Sequence, residues 1–151
     1  MSKQLNLKIV TPEKLILEEM VDQVSIPTPN GEITVLPNHI PLITEISSGD
    51  IVGCVNNECI PVAVVGGFVE IKTNVDNITE VAILADFALH VDELSDEKIQ
   101  GAKNQAEELR TKIKNKEDVD FEHFESILER SITQSRVASK WSSKRYRKNH
   151  V

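Results

Sequence analysis

Apolar and polar residues alternate from the start of the chain: Leu5, Leu7 and Ile9 fall on one side, Gln4, Asn6 and Lys8 on the other. A period of two predicts a strand with one buried face. Similar short apolar runs follow at 14–18, 21–26, 32–36, 42–46, 51–55, 59–65, 68–72 and 78–84. Turn formers stand between them: Pro29-Asn30-Gly31, Ser48-Gly49-Asp50, Asn56-Asn57 and Val75-Asp76-Asn77. Short strands with such regular punctuation predict an antiparallel β-sandwich or barrel, not alternating βαβ units.

The period then changes. From about Asp92, the positions Ile99, Ala102, Ala106, Leu109 and Ile113 recur three or four apart, which marks one helix face. Asp92, Glu93, Asp96 and Glu97 crowd the beginning of this stretch, and Arg110, Lys112, Lys114 and Lys116 crowd its end, an order that suits the helix dipole. Residues 115–118 read as a loop, with Asp118 or Asp120 as the N-cap of a second helix. Phe121, Phe124, Leu128, Ile132 and Ser135 form the expected stripe of that helix. The predicted fold is therefore β + α: an N-terminal antiparallel β-sandwich at 1–87, an antiparallel two-helix hairpin at 88–139, and a tail at 140–151. All six prolines precede residue 62 and five of the six glycines precede residue 68, so the strongest breakers of regular structure end where the helices begin. The stripes are thin, and Gly101 inside the first helix costs about 1 kcal/mol against Ala. Such a hairpin is expected to be weakly held and able to leave for a surface that offers better burial.

Composition adds little to the fold but narrows the function. Only 4% of the chain is aromatic, so the core is built from Val, Ile, Leu and Ala. No run approaches the ~18 uncharged apolar residues of a membrane span. The first residues lack a signal-peptide core, so the chain is expected in the cytosol, with membrane association only through a partner. Net charge is −7. The tail opposes it, with Lys140, Lys144, Arg145, Arg147 and Lys148 and no acid. Trp141 and Tyr146, interleaved with these cations, could stack on bases or sit in an anionic lipid interface. The acidic remainder argues against a nucleic-acid footprint.

Catalytic signals are missing. No phosphate-binding glycine loop and no nucleophile elbow occurs. His39, His90, His123 and His150 are scattered, so no metal or cofactor is expected. If Asn56-Asn57 is a two-residue hairpin turn, Cys54 faces Cys59 at a non-hydrogen-bonded position, where Cα atoms approach to about 4.5 Å. A disulfide is then geometrically possible, but a reducing cytosol predicts two free thiols.

The run Gly31-Glu32-Ile33-Thr34-Val35-Leu36-Pro37-Asn38-His39-Ile40-Pro41-Leu42-Ile43-Thr44 resembles the signature of the epsilon subunit of bacterial F-type ATP synthase. Val65-Gly66-Gly67-Phe68-Val69-Glu70-Ile71 and Val81-Ala82-Ile83-Leu84-Ala85-Asp86 agree in order and spacing, and Gln134-Ser135-Arg136-Val137 is also similar. The resemblance implies a non-catalytic rotor subunit, peripheral at the cytoplasmic face of the membrane. Its implied partners are the gamma subunit, the ring of membrane c subunits and, when the hairpin extends to block ATP hydrolysis, the alpha and beta subunits. Glu32, Pro37, Asn38, His39 and Pro41 correspond to the ring contact. Arg130, Arg136, Lys140, Lys144 and Arg145 are the candidates for the inhibitory contact with the catalytic head. Some family members bind ATP through Ile/Leu-Asp-x-x-Arg-Ala at the first helix. Here that stretch reads Leu94-Ser95-Asp96-Glu97-Lys98-Ile99, which lacks the Asp, the planar Arg fork and the small Ala, so ATP sensing is not expected.

Overall fold

The structure, a computed structural model, describes residues 3–115, 120–144 and 146–147. Strands β1 (Leu5–Val10), β2 (Leu15–Val21), β3 (Gln23–Thr28), β4 (Gly31–Val35), β5 (Leu42–Glu45) and β6 (Gly49–Val55) are short, and β7 (Glu58–Thr73) and β8 (Thr79–His90) are long. Hydrogen bonding runs in the order β2-β1-β8-β7-β6-β3-β4, with β5 on β7. The long strands serve both layers of a sandwich. Residues 58–64 of β7 pair with β6, whereas residues 68–71 pair with β5. The division falls at Gly66 and Gly67, whose φ values are +67° and +130°. A Cβ at Gly67 would lie 2.1 Å from the Leu84 carbonyl oxygen, so only glycine lets β7 turn this corner against β8.

Two of the expected strands, 59–65 and 68–72, are thus one bent strand. The glycine pair reads as a turn in the sequence, but its register with β8 is unbroken from Val62↔His90 to Thr73↔Thr79. Strand β8 also outruns its expected end at Leu84, because its pairing with β7 continues around the corner.

Alternation does place the core. Leu5, Leu7 and Ile9 are fully buried, and they join Val21, Val24, Ile26, Ile51, Val62, Val69, Ile71, Val81 and Ile83 in one aliphatic cluster between the layers. At ~1.5–3 kcal/mol for each buried Val, Leu or Ile side chain, this cluster is the main source of stability. The Asn56-Asn57 turn has φ values of 50° and 65°, the doubly positive pattern of a type I′ hairpin.

A 3₁₀ turn, Val91–Glu93, leads to α1 (Asp96–Lys114) and α2 (Phe121–Trp141). Helix α1 starts at Asp96, not near Asp92, because Ser95 caps it by accepting from the Lys98 N–H. Asp120 caps α2, accepting from the N–H groups of Glu122 and His123. The stripe read for α1 is its least exposed face, with Ala106 buried. The stripe read for α2 is not. Phe121 and Ile132 are 62% and 47% exposed, while Ile127, Ser131, Thr133, Gln134, Val137 and Trp141 are buried. The helix packs on α1 and on the sandwich together, so two of its faces are covered. Small polar side chains on those faces are invisible to an apolar periodicity.

Candidate functional site

Three surfaces stand out from the residues upward. The first follows the strand alternation that fills the core. Because Val69 and Ile83 point inward, Phe68 and Leu84 must point outward, and they pair directly across β7 and β8. The same cross-strand row continues through Val10 on β1 to Leu15 on β2. Phe68, Leu84 and Leu15 are 59%, 62% and 50% exposed. Val10, Pro12, Phe68 and Leu84 line a shallow cleft of about 320 Å³. A contiguous apolar row on an otherwise acidic chain is the mark of a docking face. The sequence reading gave none of these residues a docking role, although the alternation it used already assigned them to the outer face.

The second surface is the segment following β4. Asn38 has φ 70°, its N–H donates to Thr79 Oγ1 at 2.7 Å, and its Oδ1 accepts from Lys3 Nζ. The His39 N–H donates to the Leu36 carbonyl, and His39 Nδ1 lies 2.7 Å from the Ile40 carbonyl. These bonds and the ring constraints of Pro37 and Pro41 fix a loop that presents Leu36 and Ile40, followed on β5 by Ile43, all more than half exposed. Glu32 lies at the opposite end of β4, beside the β3–β4 turn. At ~3.3 Å per residue it is about 16 Å along the strand from Pro37, so the two ends do not form one compact patch.

The third surface is the seam between α2 and the sandwich. Its centre is the carboxylate of Asp50, buried at 9% exposure in β6. Asp50 Oδ2 accepts from the Trp141 indole Nε1–H at 2.8 Å and from Lys140 Nζ at 2.9 Å. Trp141 packs with Ala63, Val91 and Val137 and meets Tyr146 edge to face at 5.9 Å. Above and below this point the seam is polar: Ser48 bonds Glu129, Arg147 pairs with Glu19, and the Arg130 guanidinium lies 4.6 Å from the Phe87 ring centroid.

Four of the five basic residues singled out in the sequence are described, and they divide. Lys140 and Arg130 hold α2 to the sandwich. Lys144 lies over the Trp141 ring at 5.3 Å. Arg136 is exposed and pairs with no described residue. Arg145 lies outside the described residues. Trp141, which nucleic-acid stacking would need in the open, is 7% exposed.

The cysteines correct an expectation. Cys54 and Cys59 are opposite each other as predicted, with Cα atoms 4.1 Å apart, but they form a disulfide and not two thiols. The type I′ turn sets them at the close, non-hydrogen-bonded position of the ladder, where a bridge is within reach. Among the described residues, no group of three or more His, Cys, Asp or Glu side chains could hold a metal ion, and no helix is long and apolar enough to cross a membrane.

The fold is a β-sandwich, antiparallel except for the parallel β1–β8 pair, with a glycine-bent strand shared by its two layers and a helical hairpin whose second helix lies on one of them. Residues 4–91 match the family described as "ATP synthase, Delta/Epsilon chain, beta-sandwich domain". The ATP synthase epsilon chain of Nitratidesulfovibrio vulgaris (strain DP4) is 36% identical over 137 residues, covering 91% of this chain and 97% of that protein. The epsilon chain of Trichlorobacter lovleyi is 30% identical over 144 residues, covering 95% and 100%. The fold also resembles a chain in the Euglena gracilis mitochondrial ATP synthase, with TM-score 0.60 at 20% identity over 93% of this chain and 80% of that one. This chain belongs to the ATP synthase epsilon-chain family.

Proposed function

We propose that this chain, a central-stalk subunit of ATP synthase, couples proton flow to rotation through its sandwich and restrains ATP hydrolysis through its hairpin, itself catalysing nothing. The apolar row of Phe68, Leu84 and Leu15 is the face for the gamma subunit. Glu32 at one end of β4 and the fixed Pro37–Pro41 loop at the other meet the ring of c subunits. A rigid loop loses little entropy on docking, which favours such a contact. The complex, not the chain, brings it to the cytoplasmic face of the membrane.

The observation that carries the regulatory part is the Asp50–Lys140–Trp141 cluster. The hairpin lies folded on the sandwich by one buried carboxylate, the small apolar cluster around Val137 and Trp141, and a few charge contacts, of which the exposed ones contribute only ~0–1 kcal/mol each. Basic residues freed from this seam can pair with acids of the alpha and beta subunits when the hairpin extends, so Arg130 and Lys140 each have a partner in either state. Arg136, which pairs with no described residue, Lys144 and Arg145 add to the charge available to the extended state. Two states that differ by a few kcal/mol are set by contacts made in one alone.

The test is a reconstituted complex carrying the chain cut after residue 118. ATP hydrolysis should rise while assembly and proton-driven synthesis persist. Equal hydrolysis rates with the full and shortened chains would remove the hairpin's inhibitory role.

A further inference from the structure

The disulfide lies under the tail. Cys59 packs against the cluster of Val137 and Trp141 together with Tyr146, and its carbonyl accepts the Arg147 backbone N–H at 2.8 Å. On the neighbouring strand, the Cys54 carbonyl accepts the Asp22 N–H, and the Asp22 carboxylate in turn accepts the N–H of Asn56 in the turn. The bridge thus joins a tip of β6–β7 that is anchored to the sandwich on one side to the residue that seats the tail on the other. Both cysteines are half-buried, neither sealed in the core nor fully open, so a small dithiol can reach them.

We propose that Cys54–Cys59 is a thiol–disulfide exchange site whose redox state sets how firmly the tail and α2 dock on the sandwich. The oxidised pair holds Cys59 in the position that floors Trp141 and Tyr146. A dithiol reductant transfers two electrons and two protons, breaking the S–S bond to leave two protein thiols and closing its own disulfide. In the reverse direction a small-molecule disulfide accepts two electrons and two protons from the protein thiols, becoming a dithiol as the bridge closes. Reduction leaves the Asn56-Asn57 turn without its covalent clamp, next to the seam, while the aliphatic core between the layers is untouched. The docked hairpin is then favoured in the oxidised chain and loosened in the reduced one. Loosening bears on catalysis only through the hairpin function proposed above, but the docking change itself is measurable on the isolated chain.

The readout is Trp141, the single tryptophan of the sequence, buried in the seam. The full-length chain is oxidised with diamide or reduced with dithiothreitol, and the thiol content is counted by mass. Reduction should shift Trp141 emission to longer wavelength and raise its acrylamide quenching at least twofold, with the far-ultraviolet circular dichroism of the sandwich retained. The Cys54→Ser, Cys59→Ser double variant should behave as the reduced chain and ignore dithiothreitol. The proposal fails if emission and quenching are the same in chains of proven oxidised and reduced mass. It fails equally if diamide does not form the bridge, or if reduction unfolds the sandwich, which would make the disulfide a staple of the fold. None of these outcomes depends on whether the hairpin inhibits hydrolysis, so the truncation experiment judges that separately.

Discussion

Replacing Asp50 with Ala is the sharpest perturbation of the seam. It removes the acceptor of the Trp141 indole N–H, leaving a buried donor unsatisfied among the described residues at a cost of ~1–3 kcal/mol. It also removes the Lys140 ion pair, but Lys140 is 42% exposed and the pair is screened, so this part is ~0–1 kcal/mol. Together the docked hairpin should lose about 2–3 kcal/mol, and each 1.4 kcal/mol is a tenfold change in the ratio of docked to released. Asp50→Asn separates the two contributions, because an amide oxygen still accepts from the indole while the charge is gone. Its cost should stay near 1 kcal/mol. Acrylamide quenching of Trp141 measures release, and circular dichroism with a thermal melt verifies that the sandwich, including the neighbouring core residue Ile51, is intact. In the assembled complex the released hairpin should inhibit hydrolysis more strongly in Asp50→Ala than in wild type. Quenching of folded Asp50→Ala indistinguishable from wild type would refute the reasoning, since the buried carboxylate would then not be what seats α2.

Phe68→Glu and Leu84→Glu lie on the exposed apolar row and should abolish capture of the gamma subunit in a pull-down, with the melting temperature of the isolated chain essentially unchanged. Gly101→Ala should stabilise α1 by about 1 kcal/mol in urea denaturation followed by helical signal, since a Cβ there meets nothing within 4 Å. Gly67→Ala should do the reverse: its Cβ collides with the β8 backbone, and a loss of roughly 3 kcal/mol or more, or failure to fold, is expected from the same measurement.

The sandwich was legible where one physical rule acted alone. In β1 the alternation of Leu5, Leu7 and Ile9 reports burial on one face, and all three are buried. The Asn56-Asn57 turn was legible because asparagine tolerates the positive φ that a two-residue hairpin demands. Where two rules compete, the sequence misled. Gly66 and Gly67 signal a break locally, yet pairing of β7 with β8 on either side carries the strand through. In α2 the apolar stripe ran through Phe121 and Ile132, but packing on two surfaces buries Ser131, Thr133 and Gln134, whose polarity hides them from any hydrophobic period. The basic residues of the tail were found from charge, and Arg130 and Arg136 from the resemblance. Their partners Asp50, Glu19 and Phe87 lie far away in the chain, a relation that no local pattern encodes. The thiols were assigned from the compartment expected for the chain, whereas the turn geometry that the same reading identified already allowed the bridge.

The glycine corner of β7 has a mechanical consequence. In an ordinary sandwich the two layers meet only through side chains, and a shearing load can slide one over the other. Here β7 and β8 leave one layer and enter the next without interruption, so a push on the loop after β4 passes along paired, covalently continuous backbone to the layer on which α2 lies. Sliding the layers would require breaking the β7–β8 ladder near Gly67, where the backbones pass too closely to admit even a methyl group. In the coupling role proposed above, a subunit built this way acts as a stiff bracket and not as a cushion.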